Sequence, residues 1–93
     1  MGIVMTDKQY LIIEDNYVEI DNLTEIGYDT NSRKWCDITI NVKELPTNKV
    51  LLQNTSDFYI LKDHQLFFVK VELFNVSDRA ITITPKWCTY LNL

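Results

Sequence analysis

Residues 66–84 read LFFVKVELFNVSDRAITIT, and their alternation constrains the fold more than any other stretch of the chain. Phe67, Val69, Val71 and Leu73 fall on one side of an extended backbone, and Phe68, Lys70, Glu72 and Phe74 on the other. That is the period of two a strand requires. Residues 75–78 (NVSD) supply side chains that bond their own backbone in turns, and Ile81 and Ile83 then share a face of residues 80–84. The stretch predicts a long central strand and a returning partner.

Similar patterns recur along the chain. Residues 10–13 and 17–21 flank Glu14-Asp15-Asn16 as a first hairpin, and residues 23–28 read as strand, with a short helix over 21–26 as the alternative spacing. Residues 34–43 alternate most cleanly: Cys36, Ile38, Ile40 and Val42 face one way, and Trp35, Asp37, Thr39, Asn41 and Lys43 the other. Pro46 breaks that run, residues 49–53 and 58–62 extend again, Pro85 ends the returning strand, and residues 87–93 form a last one. Ten Ile, seven Val and nine Thr against a single Ala favour strands throughout. The expectation is one all-β domain over residues 1–93, an antiparallel sandwich or small barrel of about eight or nine short strands.

The pattern V-x-L-x-N-x-S-D occurs at residues 50–57 and again at 71–78, and Lys-Trp-Cys occurs at 34–36 and 86–88. Similar hairpin chemistry used twice accounts for both. The second copy, an N-x-S-D turn after a long apolar strand, resembles immunoglobulin-like sandwich domains and carries no functional residue with it.

Reactive chemistry is sparse. His64 is the single histidine and sits in a predicted exposed turn, so no base stands beside a nucleophile. Two cysteines far apart in sequence do not make a zinc site, and the two glycines build no phosphate-cradling loop. Asp29-x-Asn31 resembles the start of a calcium loop but lacks the later glycine and glutamate. The sequons at Asn22, Asn54 and Asn75 read as turn residues. The expectation is a protein that is not an enzyme and needs no cofactor and no metal. Cys36, sharing a face with Ile38 and Ile40, is expected to be a buried reduced thiol, with pairing to Cys88 the minor alternative.

Charge is unevenly placed. Residues 1–29 hold seven acidic side chains (Asp7, Glu14, Asp15, Glu19, Asp21, Glu25 and Asp29) against Lys8 alone, while the whole chain has a net charge of −4. A patch of that sign disfavours direct nucleic-acid binding and membrane surfaces and steers a basic partner, although solubility alone also accounts for it. Trp35, Asp37 and Asn41 on the outward side of their strand form a second candidate contact surface, with Tyr28 across the hairpin from Trp35.

No run approaches the roughly 18 apolar residues of a spanning helix, and the first residues lack a basic signal-peptide start, so a cytoplasmic location is expected. Abundant Ile, Asn, Lys, Tyr and Phe point to an AT-rich genome, bacterial or phage. Three binding roles are consistent with these features. One is a phage or mobile-element inhibitor whose acidic surface covers a basic host protein. Another is a self-assembling virion or tail subunit, located in the virion, and a third is a carbohydrate-binding module stacking sugar on Trp35.

Overall fold

A computed structural model describes residues 8–47 and 57–91. Eight strands appear among them: β1 (Gln9–Ile13), β2 (Asn16–Leu23), β3 (Tyr28–Asp29), β4 (Lys34–Trp35), β5 (Ile38–Val42), β6 (Asp57–Lys62), β7 (Gln65–Ser77) and β8 (Ala80–Leu91). Six of them close into an antiparallel barrel in the order β1-β2-β5-β8-β7-β6, and β3 and β4 form a separate two-stranded hairpin. The chain is all-β. Of the two expected architectures, the closed barrel is the one adopted, so its strands do not divide into the two open sheets of an immunoglobulin-like sandwich. The expected strand over residues 49–53 lies outside the described residues.

The inward side chains are those the alternation selects. Leu11, Ile13, Val18, Ile20, Ile38, Ile40, Val42, Phe58, Ile60, Phe67, Val69, Ile81, Ile83 and Cys88 make one buried cluster filling the barrel. Closure removes the free edges of an open sheet and leaves the interior packed with branched residues.

Two-residue turns link β1 to β2 and β6 to β7. Their central residues are Glu14 (φ 46°) with Asp15 (φ 68°), and Asp63 (φ 50°) with His64 (φ 64°). Positive φ at both positions matches the twist of the flanking strands. Neither turn contains glycine, so each holds two side-chain-bearing residues in the left-handed region. At the β7–β8 tip Asp78 has φ 54°.

Several expectations need correction. Pro85 does not end a strand: β8 runs through it to Leu91. The register shifts between Lys70 and Val71 and again between Val71 and Leu73, so Pro85, opposite Val71, sits between two irregularities. Bulges are where a sheet tolerates a residue that cannot donate. The same shift reverses the alternation of β7. Leu73 is 67% exposed, whereas Phe74 turns inward and meets Phe58 edge-on at 5.8 Å.

Residues 34–43 are likewise not one strand. β4 pairs with β3, whereas β5 pairs with β2 and β8. The backbone between them changes partners: Cys36 N–H donates to the Gly27 carbonyl (2.9 Å) and Thr39 N–H donates to the Thr24 hydroxyl (3.0 Å). Cys36 is therefore an exposed free thiol and not a buried one, while Cys88 is the buried free thiol. Residues 21–26 form no helix, since β2 continues to Leu23.

Candidate outer-wall contact surface

The outward positions divide the barrel into two unlike walls. On β5 and the start of β8 the outward residues are polar: Thr39 stands opposite Thr82, and Asn41 opposite Ala80. Asn41 Nδ2 donates to Asn22 Oδ1 at 2.8 Å. This is the wet face expected of an antiparallel sheet.

The wall made by β1, β6 and β7 is different. Register sets Ile12 opposite Tyr59 and Tyr10 opposite Leu61. On the next strand it sets Tyr59 opposite Phe68 and Leu61 opposite Leu66. Two adjacent rows of outward side chains, Ile12–Tyr59–Phe68 and Tyr10–Leu61–Leu66, thus contain no charge. The first row continues onto β2 on one side and meets Thr89 of β8 on the other, with Trp87 diagonal to it, opposite Lys70. Tyr17 lies opposite Ile12 on β2, and Trp87 of β8 touches Phe68 with ring centroids 5.1 Å apart. Tyr59 and Phe68 meet at 5.2 Å with planes at 63°, and Tyr10 meets Tyr17 edge-on at 5.8 Å. Tyr17 is 65% exposed, Trp87 45% and Tyr59 37%. Trp87 belongs to this surface and not to the core.

Charged groups rim these rows. At one end Lys70 Nζ lies 3.0 Å from Asp57 Oδ1. That oxygen is shielded from water and has no hydrogen-bond partner among the described residues, so the lysine charge is what offsets its desolvation. Beside Tyr17, Glu19 is held by Lys43 at 2.8 Å and Lys8 at 3.7 Å. The Lys43 hydrogen bond keeps the Glu19 carboxyl below its ordinary range and raises Lys43 in return.

The residues singled out from the sequence do not converge. Glu14 and Asp15 form the β1–β2 turn, Glu19 is in its lysine pairs, and Asp21 occupies the irregularity of β2 between Ile20 and Asn22. Glu25 and Asp29 lie beyond the far end of β2, about 23 Å along the strand from the turn. Asp29 accepts hydrogen bonds from Asn31 N–H (2.9 Å) and the Ser32 hydroxyl (2.8 Å). These bonds, the Ser32 one foremost, lower its carboxyl and make it a turn residue. Asn41 lies on the polar wall and Asp37 in the exposed junction before β5. Trp35 is not in their row. It stacks edge-on with Tyr28 at 5.3 Å and packs against the core at the barrel mouth, where Ile26, Phe67, Cys88 and Tyr90 join it around a cleft of about 160 Å³. Burial pushes the Cys88 thiol up to about 11.

The outer wall had a signal in the sequence. Residues 10–13 (YLII), 58–61 (FYIL) and 66–69 (LFFV) are apolar at every position. Strands covered on both faces read this way, whereas a half-wet strand alternates.

Among the described residues no group of three His, Cys, Asp or Glu side chains is placed to hold a metal ion, and no helix is long and apolar enough to cross a membrane. Comparison with family models, with curated proteins and with solved structures finds no match.

Proposed function

We propose that the protein is a non-enzymatic binding module that docks on another protein surface through the outer wall of β1, β6 and β7, extended by Trp87. The observation that carries this reading is the pair of uncharged rows, Ile12–Tyr59–Phe68 and Tyr10–Leu61–Leu66, with charges at their margin. An apolar, aromatic-rich centre inside a polar rim is the anatomy of a protein interface. Tyr59 is exposed and the other five side chains of the two rows are half-buried; a contiguous apolar patch left open to water on a small domain marks a contact site.

The chemistry supports a role without catalysis. His64 stands in an exposed turn, and the Cys88 thiol is held in its neutral form by burial. The dispersed acidic side chains add long-range steering of a partner and not a shared contact face. Sugar stacking gains less support. Trp35, the ring that reading rests on, packs edge-on with Tyr28 and against the core and is only half-exposed.

The test compares three immobilised proteins for what they retain from an extract of the source organism, each first checked for native circular dichroism. They are the parent, Phe68→Ser with Trp87→Ser on the apolar wall, and Thr39→Lys with Thr82→Lys on the polar wall. The apolar-wall variant is expected to lose retained protein about tenfold or more while the polar-wall variant matches the parent. Equal retention by the apolar-wall variant contradicts the proposal.

A further inference from the structure

We propose that the cleft at the barrel mouth binds a small uncharged aromatic molecule of a single ring, held between Trp35, Phe67, Cys88 and Tyr90. This goes beyond the docking reading, since Phe67 points into the barrel and the wall lies outside it. The cleft follows from the strand pairing. β5 pairs with β8 only from Ile38 to Asn41, opposite Ile83 to Ala80, so from Thr84 onward β8 has β7 alone as strand partner among the described residues. β4 lies beside β8, with Trp35 set near Cys88, Thr89 and Tyr90. No ladder joins these two strands among the described residues, so side chains close the seam. Buried Phe67 and Cys88 make the floor of the cleft, and exposed Thr89 and Tyr90 stand at its rim. Phe67 and Tyr90 meet with ring centroids 4.5 Å apart and planes at 46°.

Size and charge identify the occupant. The volume of about 160 Å³ is close to the roughly 150 Å³ of an apolar cavity that takes up one benzene molecule. Three of the six lining residues are aromatic and none is charged. A ring therefore gains edge and face contacts, whereas an ion would lose its water without meeting a counter-charge. The Cys88 thiol, kept neutral by burial, adds a polarizable contact of the kind sulfur makes with ring edges. Two larger grooves, of about 470 and 610 Å³, both include Glu19 and Lys43. Those two groups are already paired at 2.8 Å, so a ligand there would compete with them. In the mouth cleft nothing has to be displaced but water. A ligand of about seven heavy atoms in a half-open site is held at about millimolar affinity.

Heteronuclear NMR of the full chain, titrated with phenol up to about 10 mM near neutral pH, tests this. Saturable shifts are expected at Trp35, Phe67, Cys88 and Tyr90 with a midpoint of about 1 mM, while Ile12, Tyr17 and Tyr59 on the outer wall keep theirs. Benzoate, the same ring with a carboxylate, is expected to bind at least about tenfold more weakly. Ile26→Trp, first checked for native circular dichroism, fills the cleft and is expected to raise the phenol midpoint at least about tenfold. If that chain does not fold, Cys88→Leu provides the same reading. Absence of shifts, shifts that rise without saturating, or equal shifts at Ile12, Tyr17 and Tyr59 overturn the site. Benzoate bound as tightly as phenol overturns the uncharged class. A folded cleft-filling variant that binds phenol as the parent does overturns the location. Retention from extract reads the outer wall separately, so either proposal can fail while the other stands.

Discussion

The two cysteines show how a single backbone junction decides a residue's chemistry. Alternation assigns Cys36 to the apolar face of Ile38 and Ile40, but the change of partners between β4 and β5 turns it to solvent and leaves Cys88 as the buried thiol. Native protein treated with a maleimide near pH 8 is expected to label at Cys36 and to label at Cys88 only after unfolding, as peptide mass spectrometry will read. Because the folded Cys88 value is raised from 9.0 to about 11, the folded state keeps a proton that the unfolded state releases. Its contribution to stability is whole below about pH 9 and declines as pH rises toward 11. Glu19 works in the opposite direction. Its folded value is lowered, first by the Lys43 hydrogen bond, so its contribution is present above pH 4.5 and is lost as pH falls through the folded value. Lys43→Met is expected to move the Glu19 midpoint, followed by NMR, back toward 4.5. The turn residues carry a further consequence. Asp15 at φ 68° occupies a conformation that glycine adopts without strain. Asp15→Gly is expected to stabilise the fold by about 0.5–1 kcal/mol in urea denaturation.

At the scale of elements, the β7–β8 hairpin shows where sequence patterning stops. The long strand, its turn and the inward set Phe67, Val69, Ile81 and Ile83 are legible because a period of two survives wherever pairing is regular. Beyond Val71 it fails, since one extra residue reverses every following side chain and no sequence period records it. Phe74→Ala is expected to cost about 3 kcal/mol and Leu73→Ala less than about 0.5 kcal/mol, measured by chemical denaturation. The reverse order would restore the uninterrupted alternation and contradict the irregularity. Pro85 hid the continuity of β8 for the same reason: a strand breaker in a regular ladder is tolerated beside a bulge. Trp35 was displaced from its predicted row by the junction at residues 36–37, which returns its ring to the barrel mouth beside Tyr28.

For the whole molecule, the fold class followed from local pattern, whereas closure into a barrel and the two unlike walls depended on pairings between distant segments. β1 meets β6, and β5 meets β8, across intervals that no local signal spans. Clustering of acidic residues in the first 29 positions suggested a shared face, but Glu14 and Asp15 sit in the turn before β2, Glu19 and Asp21 within it, and Glu25 and Asp29 beyond its far end. The apolar wall was written in uniformly hydrophobic runs that read equally well as core. Only the register shows that half of each run points outward.

Hydroxyl-radical footprinting of the parent alone and bound to protein retained from extract, read by peptide mass spectrometry, tests most directly whether that wall is a contact surface. Tyr59, Phe68 and Trp87 are expected to become protected in the bound sample, while Tyr28, on the separate hairpin, keeps its reactivity. If Tyr59, Phe68 and Trp87 react equally in the free and bound samples, the wall is bare and the account is contradicted.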